Sequence, residues 1–444
     1  MEYTQRIQKV SVLGAAGKMG SGILLLTALE MADQMLKSEN AGIIFVLNAI
    51  DTSDEGLTGL VKYMHAQVLK AAERKVVSLR SIYASKVGLI ENSEVINAYV
   101  QDTMSLVRTS TRIEAAYDST LIFEAVSENQ ALKEKLFRLI NENNTSQPWI
   151  FTNTSSVPIG GLNKNAGLGG RILGFHFYNP PAIQKLVELI TIAENSPEMI
   201  EFAKQFAINL RKTIVPSNDI AGFIGNGHFM RDALFGIREA ERISAEMPLH
   251  EAIYCIDSVT RDFLSRPMGI FQLIDYVGLD VVQFILRVMQ PHMQGENLHS
   301  SLLDELVLSG VTGGQFSDGS QKNGFLKYVK SKPVAVFDKN TGTYVDFDAF
   351  RENSDNWLGN VPAEVLPWKT LVKVADKDIF LIPAFKALQV SPTHGAGLAI
   401  AFASNSSEIA LKLISDGVAL NEKDVNTVLL TGFFHAYGPI NNYL

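Results

Sequence analysis

Two patterns of apolar and polar positions divide this chain. In the first half, short apolar runs recur: Val10-Ser11-Val12-Leu13, residues 43–47, residues 120–126, Trp149-Ile150-Phe151-Thr152, residues 172–178 and residues 186–190. Runs of this length, rich in β-branched and aromatic residues and bounded by Gly, Pro, Asn or Asp, predict buried strands. Between them the spacing turns helical, after Gly22, over residues 58–107 and over residues 196–212, and a short strand is expected at residues 213–215. Strands alternating with helices predict a parallel sheet covered on both faces. Pro216-Ser217-Asn218-Asp219 breaks the pattern. Beyond it a long apolar-periodic helix runs to Ile243, a hairpin is expected over residues 334–347 around Asp338-Lys339-Asn340-Thr341-Gly342, and residues 408–443 are helical in pattern.

These elements predict an α/β plus all-α protein, a Rossmann-like doubly wound sheet followed by one or two helical domains. The expected boundaries are residues 1–217, a helical domain at 218–330, a β-hairpin connector at 331–349 and further helices at 350–444. A length of 444 residues agrees with more than one core. Hydrophobic content of 46% with 19% charged residues describes a globular chain, and a formal charge of −8 argues against a general nucleic-acid binder. The single cysteine, Cys255, has no internal partner for a disulfide and fits a reducing compartment. With no long apolar leader after Met1 and no membrane-length apolar stretch, a cytoplasmic location is expected. No metal site is expected.

Two stretches carry chemistry. The first strand runs into Gly14-Ala15-Ala16-Gly17-Lys18-Met19-Gly20 and then a helix. Small residues there let backbone approach a pyrophosphate, and the helix N-terminus offers N–H groups and a positive dipole end. The spacing G-x-x-G-x-x-G is one residue longer than the usual dinucleotide fingerprint, and glycines also serve plain turns. Asp51, after the second strand, is placed to accept from a ribose hydroxyl and to repel a 2′-phosphate, which favours NAD over NADP; Asn48 competes for that role. The second stretch is Gly174 to Glu188. His176 sits on one apolar strand, Asn179-Pro180-Pro181 stops it, and Glu188 sits on the next. Adjacent strands would set the carboxylate beside the imidazole, fix its tautomer and leave the other ring nitrogen basic. A histidine on an apolar strand is otherwise commonly a hydrogen-bonded core residue.

The Gly174–Glu188 stretch resembles the catalytic segment of the 3-hydroxyacyl-CoA dehydrogenases. So does Glu124-Ala125-Val126-Ser127-Glu128-Asn129 with Leu132-Lys133. Arg266 to Asp280 is similar to the helical-domain signature of that family, with Ile270 in place of its second proline, and Asn323 to Tyr328 resembles its ending. The resemblance implies NAD-dependent oxidation of 3-hydroxyacyl-CoA, with His176 as general base and Glu188 orienting it. Ser155 and Asn226 fall on positions that hydrogen-bond the reacting oxygen, and Asn179 is a lesser contact. Gly14, Gly17, Lys18, Met19, Gly20, Asp51, Glu128, Lys133 and Asn153 become cofactor contacts. An acyl-CoA substrate and a place in fatty-acid β-oxidation follow. Arg74 and Lys75 are candidates for the CoA phosphates, although such charges usually mark a solvated face. Residues 350–444, where His435 to Ile440 echoes Ser265 to Phe271, are expected to be a degenerate second helical copy, and the protein a monomer or homodimer. A reductase of another hydroxy acid and a non-catalytic nucleotide-binding relative are the competing expectations.

Overall fold

The computed structural model describes residues 2–84, 86, 88–316 and 319–444. It divides into two compact units, Met1–Asp219 and Ile220–Leu444. The first is built on eight strands: β1 Lys9–Leu13, β2 Val46–Ile50, β3 Val107–Ser110, β4 Leu121–Glu124, β5 Trp149–Thr152, β6 Ile172–Phe177, β7 Leu186–Thr191 and β8 Thr213–Asn218. Their order is β3-β2-β1-β4-β5-β6-β7-β8. Strands β1 to β6 are parallel: α-helices fill the connections from β1 to β2, β2 to β3, β4 to β5 and β5 to β6, while the return from β3 to β4 crosses the sheet with only the 3-10 turn Ile113–Ala116. The connection from β6 to β7 is only the Asn179-Pro180-Pro181 turn and its flanks. It is too short for a crossover, so β7 returns antiparallel.

Three strands differ from expectation; one is β8, expected over residues 213–215, which continues through Pro216 to Asn218 because an edge strand tolerates proline. The second strand begins at Val46 rather than Ile43, since residues Ser38–Asn40 form a 3-10 turn and Ile44 is 76% exposed in the loop that follows. The shift carries β2 to Ile50, so that Asp51 follows it directly. Strand β3, within the expected helical stretch 58–107 and just beyond it, is an edge strand of polar sequence, Val-Arg-Thr-Ser, with no apolar alternation to reveal it. The helices there are Asp54–Ile82, capped by the Ser53 hydroxyl on the Gly56 N–H, and Asn92–Ser105.

Residue alternation along β6 decides what faces where. Phe175 and Phe177 point to one side, where they join Phe123, Phe151 and, from helix Pro197–Asn209, Phe206. Each buried phenylalanine contributes roughly 2–3 kcal/mol. His176, between them, is thereby turned to the opposite face.

In the second unit, residues from all three expected segments share one hydrophobic core, among them Phe271, Val336 and Phe402. Helix Gly225–Ile243 packs against both Leu249–Ser258 and His394–Ser415. The expected hairpin is β10 Lys332–Asp338 with β11 Thr343–Asp346, and β9 Leu326–Val329 makes it three-stranded. A local device occurs twice. A side chain on Gly269 would collide with the Asp257 carboxylate, and one on Gly438 with the Asn426 carboxamide, at equal sequence separation. Asp257 accepts from the Gln272 N–H and Asn426 from the Ile440 N–H, so each turn is pinned to the helix before it. Among the described residues, no helix is long and apolar enough to cross a membrane, and no cluster of three His, Cys, Asp or Glu could hold a metal ion.

Candidate active site

The chain passes from β1 outward to β2 and β3, then returns to the other side of β1 as β4. Ligands of open α/β sheets bind at such a reversal, beyond the carboxyl ends of the strands. Gly14 ends β1 there with φ of 73°, and a side chain on it would strike the Ala125 backbone at the end of β4. A side chain on Gly20 would collide with the Gly14 carbonyl. Only glycine permits this approach. Gly17 is the N-cap of helix Lys18–Met35, so no side chain stands over the first N–H groups of Lys18, Met19 and Gly20. Burial pushes the Lys18 ammonium below its ordinary value. Asp51 reaches the same turn, accepting from the Ala16 N–H at 3.0 Å and the Ser53 N–H at 3.2 Å. Asn48 is buried instead, donating to the Ala115 carbonyl.

At the ends of β4 and β5 a buried ion cluster sets the backbone. The Lys133 ammonium, 1% exposed, lies 2.6 Å from Glu124 and 3.1 Å from Glu128. Burial disfavours its charge, but the two carboxylates more than compensate and hold it above the usual lysine range. Burial likewise works against the Glu128 charge. Lys133, with donors from Thr154 and Ser155, outweighs it and keeps that carboxyl below its usual value. Glu124 accepts from Thr152 and from the Val126 N–H; Glu128 accepts from Thr154, the Ser155 N–H and the Ser156 hydroxyl. The segment carrying Ser155 is thus fastened to the end of β4. Asn153 fastens it to β6, its Oδ1 accepting the Phe177 N–H at 2.8 Å.

His176 on β6 is directly opposite Glu188 on antiparallel β7. Its Nδ1 lies 3.1 Å from Glu188 Oε1. The carboxylate is fully buried and the histidine 8% exposed. A proton on Nδ1 would satisfy that carboxylate and leave Nε2 as an acceptor. Asn179 follows at a cis peptide bond to Pro180, and Lys212 donates to the carbonyls of Pro181 and Gln184, holding that turn.

One expected contact for the CoA phosphates is engaged within the first unit. Lys75, on helix Asp54–Ile82, gives its ammonium to Asp33 at 2.6 Å and to the Tyr99 hydroxyl; Arg74 precedes it on the same helix. Asn226 belongs to the second unit, in the first turn of helix Gly225–Ile243. Two participants had been given no site role from the sequence. Glu124 is the anchor of the lysine cluster, and Tyr178 donates its hydroxyl to Glu188 Oε1 at 2.7 Å. The spacing of Tyr178, two residues from His176 on an alternating strand, was the available signal.

Family comparison bears on this geometry. Residues 9–220 match the model of the 3-hydroxyacyl-CoA dehydrogenase NAD binding domain, and residues 244–326 match the C-terminal domain of the same family. Human mitochondrial hydroxyacyl-coenzyme A dehydrogenase is 30% identical over 320 residues, covering 71% of this chain and 91% of the human protein. The chain belongs to the 3-hydroxyacyl-CoA dehydrogenase family. A Caenorhabditis elegans protein named "Probable 3-hydroxyacyl-CoA dehydrogenase" is also 30% identical, over 71% of this chain and 95% of its own length. The crystal structure of Escherichia coli 3-hydroxybutyryl-CoA dehydrogenase shares the fold over 98% of this chain and 90% of its own, with a TM-score of 0.63 at 22% identity. This 3-hydroxyacyl-CoA dehydrogenase family member is accordingly an NAD-dependent oxidoreductase. Its residues fit that cofactor: Gly14 and Gly20 keep the β1 turn bare, the helix N-terminus that starts after Gly17 suits a pyrophosphate, and Asp51 suits a ribose hydroxyl.

Proposed function

We propose that the protein oxidises 3-hydroxyacyl-CoA to 3-oxoacyl-CoA, with His176 as general base and Glu188 as its orienting carboxylate. The observation that carries this is the pairing of His176 Nδ1 with a fully buried Glu188 across β6 and β7, beside the fastened Ser155 segment. His176 Nε2 takes the proton of the substrate hydroxyl, while Glu188 holds Nδ1–H and favours the imidazolium that forms. Ser155 donates to the reacting oxygen as charge moves onto it. Asn226 is assigned a second contact with that oxygen, and Asn179 a lesser substrate contact, on the family resemblance. When bound, NAD supplies the acceptor for the hydride. The matched turns at Gly269 and Gly438 support reading residues 350–444 as a degenerate second helical copy.

Loss of NADH absorbance with acetoacetyl-CoA, and none with free acetoacetate, is the expected result. Turnover of the free acid alone would favour the reductase of another hydroxy acid. Inactivity with both, despite NADH binding, would favour a non-catalytic relative. Asp51→Ser tests the cofactor preference. A carboxylate against a 2′-phosphate costs on the order of 1–4 kcal/mol at contact distance. The ratio of kcat/KM for NAD over NADP should therefore fall by about tenfold or more in this variant. An unchanged ratio would remove Asp51 from the ribose site.

A further inference from the structure

His176 is not alone on Glu188. Tyr178 comes two residues after His176, directly beyond β6, so it extends from the same side of the chain, with its ring 4.9 Å from the imidazole and tilted by 40°. Its hydroxyl lies 2.7 Å from Glu188 Oε1, the same oxygen that His176 Nδ1 meets at 3.1 Å. The first distance is that of a good O–H···O bond; the second is long for a charge-assisted N–H···O bond. One carboxylate oxygen thus serves two donors, and the phenol has the closer share.

We propose that Tyr178 is a positioning residue that shares Glu188 with His176 and limits how strongly the carboxylate draws the imidazole proton. This rests on the base role given to His176 above. A general base must be neutral before it accepts a proton, and an unshared buried carboxylate would favour the imidazolium beforehand. Tyr178 can act as a donor throughout the working range, because burial and the neighbouring Glu188 charge push its hydroxyl well above the usual phenol value. Lys185, exposed just before the return strand, and Lys212 are the lysines described at this turn. The Lys212 ammonium lies 5.9 Å from the ring of Phe177, on the face that His176 does not share. Val215, which pairs with Glu188 from β8, carries no charge.

Tyr178→Phe keeps the ring and removes the donor. A hydrogen bond to a charged group contributes about 1.5–3 kcal/mol, and a pH unit corresponds to about 1.4. With part of that passed to the imidazole, the ascending limb of kcat for alcohol oxidation should move up by about half to one pH unit, with KM for NAD unchanged. Site-specific 3,5-difluorotyrosine at position 178, a stronger donor, should move the limb the other way and serves even if the Phe variant folds poorly. The His176 ring resonances, followed by NMR through a pH titration in the same proteins, should shift in parallel. An unmoved His176 titration, or the same direction in both proteins, overturns the sharing. If the NMR midpoints move as expected but His176→Asn keeps full turnover, the base assignment fails and the sharing stands.

Discussion

His176→Asn should lower turnover of acetoacetyl-CoA by about 10²–10⁴-fold, the usual worth of a positioned general acid or base. Asparagine is the informative replacement. Its side-chain N–H can take over the bond that His176 Nδ1 makes to the buried Glu188, so that carboxylate is not abandoned in the interior. What disappears is the second ring nitrogen, Nε2, the atom assigned to the substrate proton. The cofactor turn at Gly14 to Gly20 lies between β1 and helix Lys18–Met35 and is untouched. NADH affinity, read by fluorescence titration, should therefore stay within about twofold while turnover collapses. Turnover kept within about tenfold of the parent would count decisively against His176 as the base, since a water molecule in its place would not be expected to do as well.

Lys133→Met should be the most damaging single change to the first unit, at about 3–5 kcal/mol. Its ammonium is the cation between Glu124, fully buried, and Glu128, partly so. Replacing a whole buried ion cluster with apolar groups can be nearly neutral, but removing one partner leaves the others charged in a low-dielectric surrounding. Methionine fills similar volume, so the loss reads charge rather than a cavity. Hydrogen-exchange mass spectrometry on peptides from β4 and β5 reports this unit without averaging over the helical one. Protection there should fall by the equivalent of several kcal/mol, and adding Glu124→Gln to the variant should restore part of it. A loss below about 1 kcal/mol would mean that the cluster is not what holds the Ser155 segment to β4.

Local periodicity and chain connectivity made much of this protein legible from residues alone. Alternation in residues 172–178 and 186–190, with a proline turn too short for a crossover between them, was enough to bring His176 and Glu188 onto neighbouring antiparallel strands. The same holds for Gly14 to Gly20, where a strand, a bare turn and a helix follow one another without help from distant residues. Other features depended on what the sheet packs against. Strand β2 started late because Ile43 and Ile44 lie outside the ladder that β1 offers, and β3 has no apolar pattern since it is an edge. Nothing in the spacing of Lys133 showed that its ammonium would be buried between Glu124 and Glu128. Tyr178 joined Glu188 only once the phenylalanines of β6 had taken the other face. Residue order dictates which side chains can be neighbours along a strand or across a tight return. Which of them share one buried oxygen, or one buried charge, is settled by the layers that close over them and exclude water.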